Sequence, residues 1–278
     1  MNIILVSLRN FQEYILDNIR QLDRLGHKNI YVITDHPDKF DEVSDKIHVL
    51  CISDGLDDEY GYMLKTQMNV EFRNGFWALA SLRLFYIYAA MKKYNIQNVI
   101  HLENDVLIYY NLDILSPSLD ATKIYIPFDS YDRNVMSVVY IPNHTIWKQI
   151  LDNYNYELND MLNFSKIQRK LDIIRKFPIF DPAYPGLTNE QKWVCQNFYD
   201  FHMIFDAAAI GQYLGGVDPR NIWGDTTGFV NETCVIKYDN FNILWKVSDI
   251  RRPFIQIGEK EVPIFNLHIH SKNLKKFV

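Results

Sequence analysis

The chain is short of cysteine, of net positive charge and of long apolar runs, and each shortage removes a class of protein. Cys51, Cys195 and Cys234 are odd in number, far apart and without metal-ligand spacing. They argue against a disulfide framework and for reduced thiols in a reducing compartment. A formal net charge of -5 with a pI near 5.9 argues against nucleic-acid binding, which needs clustered Lys and Arg to displace counterions. No window reaches the roughly 18 apolar residues that span a bilayer, and the most apolar helical stretch, "FWALASLRLFYIYAAM", is interrupted by Arg83. The N-terminal "NIILVSL" has no basic lead and no small-residue cleavage site, so it reads as a first strand, not a signal peptide. A soluble, cytoplasmic protein is expected, with peripheral membrane attachment left open. Repeats and low-complexity linkers are also missing, which favours one domain over residues 1–278.

What is present is globular. The 278 residues are 48% apolar and 23% charged, with 18 Tyr and 17 Phe, enough to bury a sizeable core. The first hundred residues alternate strand and helix signals, the pattern of a parallel sheet covered by helices on both faces. Asn2 to Ser7 reads as strand. Phe11, Tyr14, Ile15, Ile19, Leu22 and Leu25 then recur at helical spacing and stop at Gly26, a residue suited to the left-handed position after a helix. "NIYVITD" and "IHVLCI" are the next strands. A long helix from about Phe76 to Tyr94 precedes the strand "NVIHLE". Beyond Lys123 come shorter strands, "KIYIPF" and "VMSVVYI", and a helix starting near "NHTIWKQIL". Residues 155–200 combine one helix with a long Pro-, Gly- and aromatic-bearing loop, the kind of connection that often forms a lid or binding insertion. "FDAAAIGQYLGG" predicts a short helix, and "VPIFNLHIH" a last strand before the basic tail "SKNLKKFV".

Ligands of open α/β sheets collect beyond the carboxyl ends of the strands, and "VIHLENDVLIYY" sets Glu103, Asn104 and Asp105 at such an end. Two carboxylates two residues apart on extended backbone can point the same way and offer hard oxygens to Mg²⁺ or Mn²⁺. The plainer alternative is that Asp105 caps a turn. In "FNLHIHSKNLKK", Asn266, His268 and His270 would share one strand face, so both imidazoles could enter a polar site, with Lys272, Lys275 and Lys276 close by. The alternative is a solvated strand with a basic tail. Arg83, inside an apolar helix, must pair with either a protein acid or a bound phosphate. Asp206 stands just before a helical run, where it either caps the helix or meets a sugar hydroxyl. Glu232 in "GFVNETCVIKYD" is a second candidate acid or base.

Taken in order, "FWALASLRLFYIYAAMKKYNIQNVIHLENDVLIYY", "FDAAAIGQYLGGVDPRN" and "NLHIHSK" resemble the nucleotide-sugar-dependent glycosyltransferases of the GT-A fold. They are also similar to bacterial and large-virus glycosyltransferase-like proteins that carry "HLENDV" and "LHIHSK". The resemblance implies a Rossmann-like α/β fold, its central sheet mostly parallel and flanked by helices, with a smaller C-terminal part. Residues 1–110 would form the nucleotide-binding half, and residues 111–278, with an insertion near 155–200, the sugar and acceptor half.

It further implies a divalent cation, Mn²⁺ or Mg²⁺, held by Asp105 with Glu103 as partner and completed by His268 or His270. Lys272 and Arg83 would face the diphosphate, Asp35 the base or ribose, Ser7 the floor beneath the nucleoside, and Asp206 the transferred sugar. The implied substrates are a nucleoside diphosphate sugar donor and a saccharide or other hydroxyl acceptor. The triplet departs from the family by beginning with Glu, and the tail lacks the ending of glycogenin-type retaining enzymes. Two rival functions remain: a non-catalytic nucleotide-sugar or carbohydrate-binding protein, and a sugar-nucleotide pyrophosphorylase. The second lacks support because "SLRNFQEYIL", after the first strand, has no glycine.

Overall fold

A computed structural model describes residues 1–216 and 233–278. In chain order its elements begin β1 (Asn2–Ser7), α1 (Tyr14–Arg24), β2 (Ile30–Thr34), β3 (His48–Cys51), α2 (Tyr62–Lys65), α3 (Phe76–Lys93), β4 (Val99–Leu102) and β5 (Val106–Ile108). They continue with β6 (Ile124–Ser130), β7 (Arg133–Asn134), β8 (Val138–Ile141), α4 (His144–Asp152), α5 (Asp160–Gln168), β9 (Ile174–Phe177), α6 (Asn189–Val194) and α7 (Phe198–Phe201). The last are β10 (Ile204–Phe205), β11 (Ile243–Val247), β12 (Arg251–Ile257) and β13 (Lys260–His268).

Among the described residues the main sheet runs β3-β2-β1-β4-β8-β6-β7, with β9 added beside β6. The β3-β2-β1-β4 half is wholly parallel, β8 runs against it, and β6 and β9 return to the first direction. This is the mixed α/β arrangement, mostly parallel and helix-flanked, that the alternating pattern predicts. Successive side chains of β1 serve opposite cores. Ile3 and Leu5 pack with Ile15, Ile19 and Leu22 of α1, while Ile4 and Val6 pack with Leu82, Phe85 and Ala89 of α3. α3 is buried on most sides, as its nearly continuous apolar sequence requires, and no described helix is long and apolar enough to cross a membrane.

A second sheet joins β10-β13-β12-β11 and takes β5 on the other side of β13. That pairing is antiparallel with His268 opposite Val106, so the chain's last strand lies directly beside the acidic triplet. A sequence separation of about 160 residues is thereby closed by three ladder positions.

Two sequence expectations are corrected. Residues 155–200, read as one helix and a loop, also hold β9, a strand of the main sheet. Its "IRKF" is too short and too charged at Arg175 and Lys176 to show strand alternation, and Lys176 is buried by lying over the Trp193 ring, 4.0 Å from its centroid. "FDAAAIGQYLGG" is not a helix: only Gly211–Tyr213 forms a single 3₁₀ turn, and Asp206 starts a bend. The cysteines are unpaired, and burial pushes the Cys195 and Cys234 thiols up to about 12.

α1 stops as the sequence requires, with Gly26 at φ +88° and the N–H of His27 donating to Leu22 O at 3.1 Å. The turn buries the His27 ring, and burial pulls its pKa from about 6.5 down to about 4, with Asp113 and the terminal ammonium acting in opposite senses. Between those values the unfolded chain binds a proton that the folded chain refuses. Stability present above pH 6.5 is therefore lost as the pH falls toward 4, by on the order of 3 kcal/mol from this ring. Urea midpoints measured from pH 7 to pH 4.5 should fall less steeply in His27→Gln; equal slopes would contradict this assignment.

Candidate functional site

The chain leaves β4 at Leu102 and turns sharply before β5, the N–H of Val106 donating to Glu103 O at 3.0 Å. The triplet is thus a turn between two sheets, not a continued strand. Asn104 holds it in place: its amide donates to Val6 O at 2.9 Å and to Gln12 Oε1 at 3.0 Å. A carboxylate there would have no proton to give, which accounts for an amide between two acids. Asn18 of α1 supports the same turn by donating to the carbonyls of Glu103 and Asn104, at 3.4 and 3.2 Å.

Glu103 and Asp105 then face His268. The His268 Nε2 atom lies 3.1 Å from Asp105 Oδ2 and 3.5 Å from Glu103 Oε2. One ligand atom from each of these three residues falls within 4.8 Å of the others. The Lys272 ammonium contacts Asp105 Oδ2. On the other side Arg83 spans two acids, with Nη1 2.6 Å from Glu103 Oε1 and Nη2 2.9 Å from Asp160 Oδ2. All of these groups line one cleft of about 270 Å³, together with Trp77, Leu79 and Met136.

Burial disfavours the charged forms of these groups, and for all but Asp160 their mutual attraction outweighs it. Burial raises the Asp105 carboxyl, but His268 and Lys272 hold it well below the usual carboxylate range. Glu103 likewise is raised by burial and lowered, on balance, by Arg83 and His268. The imidazole of His268, disfavoured as a cation by burial, is raised by Asp105. Arg83 is also opposed by burial and held above its ordinary value by Glu103 and Asp160. For Asp160, burial wins and the carboxyl is raised despite Arg83. His101, beneath the cleft, is pulled down to about 3 by burial and then by Arg83. It is therefore neutral, and Nδ1–H donates to Ile4 O at 2.9 Å.

Two carboxylates and one imidazole converging in this way form a donor set suited to a divalent cation. The oxygens are hard ligands, and the imidazole favours Mn²⁺ over Mg²⁺, which prefers oxygen and water. The lowered carboxyls need lose no proton when a cation binds, whereas the His268 ring, raised by Asp105, must give up a proton to become a ligand.

The other expected residues are dispersed. His270 lines the cleft, its ring edge-on to His268 with centroids 4.8 Å apart, but it lies past the end of β13 and outside the converging group. Arg83 pairs with protein acids, the first of the two partners open to it in the sequence. Ser7 is buried at the end of β1, between Val6 and Leu8, which do line the cleft. Asp35 sits at the end of β2 with both oxygens 2.9 Å from the N–H of Arg9, and it borders a second, open cavity of about 410 Å³ with Cys51, Asp57 and Tyr86.

Asp206 does not line the cleft. It is fully buried, and its oxygens accept from the N–H groups of Ala209, Ile210, Gly211 and His268 at 2.7 to 2.9 Å. The resemblance sets it at the transferred sugar; here both its oxygens are taken up by backbone N–H groups. Glu232 lies outside the described residues. Sequence reasoning missed Asp160, which follows the N-cap Asn159 and so looks like ordinary helix-start chemistry. It also missed Arg133, held by Asp129 at 2.6 Å while lining the cleft; no local pattern marks it.

No family model matches the chain, and no curated protein matches it. Among solved structures, the chain is similar to mouse xyloside xylosyltransferase 1, at 12% identity over 64% of this chain and 84% of that one, TM-score 0.39. It is similar to the galactosyltransferase LgtC in complex with donor and acceptor sugar analogues, at 12% identity over 64% and 73% of the two chains, TM-score 0.41. It is also similar to a cytidylyltransferase from Leptospira borgpetersenii, at 12% identity over 64% and 75%, TM-score 0.42. Likeness at this level leaves function to be read from the site's own geometry.

Proposed function

We propose that the chain is a metal-dependent glycosyltransferase that moves a sugar from a nucleoside diphosphate donor to an acceptor hydroxyl. The observation that carries this reading is the convergence of Glu103, Asp105 and His268, with Lys272 against Asp105, on one wall of an apolar-sided cleft. Two acids, an imidazole and an ammonium are what a cation-bridged diphosphate requires.

Asp105, Glu103 and His268 would hold Mn²⁺ or Mg²⁺, which supplies Lewis-acid stabilisation of charge on the departing diphosphate. Lys272 is close enough to Asp105 to turn toward a phosphate oxygen once a cation takes that carboxylate. Arg83 acts on Glu103, fixing its orientation from behind. Arg73 and Arg133 also line the cleft, and positive charge there suits a donor that carries net negative charge. Asp35, at the second cavity, and Ser7, buried at the end of β1, belong to the base and ribose side in this reading. Breaking the anomeric C–O bond leaves negative charge on the diphosphate and positive charge on the ring, so fixed positive groups on the diphosphate side favour departure. A pyrophosphorylase is disfavoured, since residues 8–13 between β1 and α1 contain no glycine that would let backbone N–H groups approach phosphates closely.

Titration calorimetry with Mn²⁺ and a panel of nucleoside diphosphates tests the reading. One member should bind only with Mn²⁺ present, and its sugar derivative should be hydrolysed slowly without acceptor. Tight binding that survives EDTA would remove the metal assignment, and absence of diphosphate release with every bound donor would favour a non-catalytic binding protein.

A further inference from the structure

Asp206 is a fully buried carboxylate, and among the described residues no ion pair reaches it. Such a charge is costly to bury unless hydrogen bonds replace its water. Four backbone N–H groups do so. Three belong to the bend that follows it: Ala209 and Ile210 donate to Oδ1 at 2.7 and 2.8 Å, and Gly211 donates to Oδ2 at 2.8 Å. These alone would make it an ordinary turn cap. The fourth crosses to another strand: the N–H of His268 donates to the same Oδ2 at 2.9 Å.

The next N–H along, that of Ile269, donates to the main-chain carbonyl of Asp105 at 2.9 Å. The backbone that carries the imidazole is therefore pinned at two successive amides, by the Asp206 carboxylate and by the residue the imidazole faces. Contact with the bend is also close. A Cβ on Gly211 would stand 2.3 Å from His268 O, so the bend lies flush on the histidine's own peptide. Asp206 is held in turn by Ser137, whose hydroxyl donates to its carbonyl at 2.8 Å, and by the Asn266 side chain, which accepts from its N–H at 3.2 Å.

We propose that Asp206 is a positioning residue for the His268 imidazole, setting the height of the ring over Asp105 and Glu103 through the backbone and without touching any ligand. The inference rests on the reading of Glu103, Asp105 and His268 as a metal centre. It also explains the residue type. Four donors need two acceptor oxygens, and an amide would offer one oxygen and turn an NH₂ against N–H groups.

The probe is Mn²⁺ alone, titrated calorimetrically into Asp206→Asn, Gly211→Ala, His268→Ala and the Asp206→Asn/His268→Ala double variant. Partners of a metal ligand typically contribute 10- to 100-fold in affinity, so Asp206→Asn and Gly211→Ala should each weaken Mn²⁺ binding by about 10-fold or more. In the His268→Ala background Asp206→Asn should change it by less than about 2-fold, because the residue acts only through the ring. A folded Asp206→Asn with wild-type Mn²⁺ affinity would overturn the proposal, as would the same fold-loss with and without His268. Failure of both single variants to fold would make the acid a determinant of the fold and overturn it too. Absence of Mn²⁺ binding in the wild type would instead remove the metal centre itself, and the proposal with it.

Discussion

Asp105→Asn is expected to lower Mn²⁺ affinity by at least about 100-fold, more than the loss of an outer partner of a ligand, and to abolish Mn²⁺-dependent nucleoside diphosphate binding. Asp105 is the residue on which the site's positive groups converge: His268 Nε2 is 3.1 Å from Oδ2, and the Lys272 ammonium contacts the same atom. Asparagine preserves the volume and removes the charge. The imidazole and the ammonium then face each other across a neutral amide, and a divalent cation would meet repulsion from Lys272 with only Glu103 to oppose it. The fold should tolerate the change, since the main-chain carbonyl of Asp105 still accepts from Ile269 and Lys272 can swing toward solvent. Calorimetry on metal-stripped protein, with circular dichroism as the folding control, measures both. A folded variant that keeps wild-type Mn²⁺ affinity would mean that the triplet is a turn and nothing more.

How much of this was legible in the sequence differs by element, and for physical reasons. β1, α1, β2, β3, α3 and β4 could be read because each buries a face or a whole surface, and burial writes its period into the chain. β9 could not, because "IRKF" lies at a sheet margin where Arg175 and the Lys176 stem cover the strand in place of apolar residues. The acids and histidines were visible as residue types at a strand end and on a late strand. Their meeting was expected from the family resemblance alone and not from spacing, since it depends on β5 leaving the main sheet to pair with β13, a register set by long-range contacts. Asp206 shows the limit most clearly. Aspartate before a run of alanines is the ordinary signature of a helix cap, whereas here it gathers three N–H groups of a bend and a fourth from a strand some sixty residues away. Asp160 was hidden by the same ambiguity, an acid at a helix start that turns its second oxygen to Arg83.

That ion pair sets the largest stability effect. Arg83→Met is expected to destabilise the protein by about 3 to 5 kcal/mol, the usual result of removing one partner from a buried ionic group. Glu103 and Asp160 share the guanidinium, and only 18% and 3% of their side chains are exposed, so both are poorly hydrated when it is lost. Methionine fills most of the space along the apolar face of α3, which confines the effect to charge. Two further measurements show whether that account is right. Adding Asp160→Asn should recover part of the loss, since one of the two orphaned charges is then gone. Saturating Mn²⁺ should also raise the urea midpoint of Arg83→Met by more than that of the wild type, because a cation beside Glu103 supplies the charge the arginine gave. A loss below about 1 kcal/mol, the range of exposed ion pairs, would mean that the guanidinium is not what holds these acids, and would return Arg83 to the role of a direct diphosphate contact.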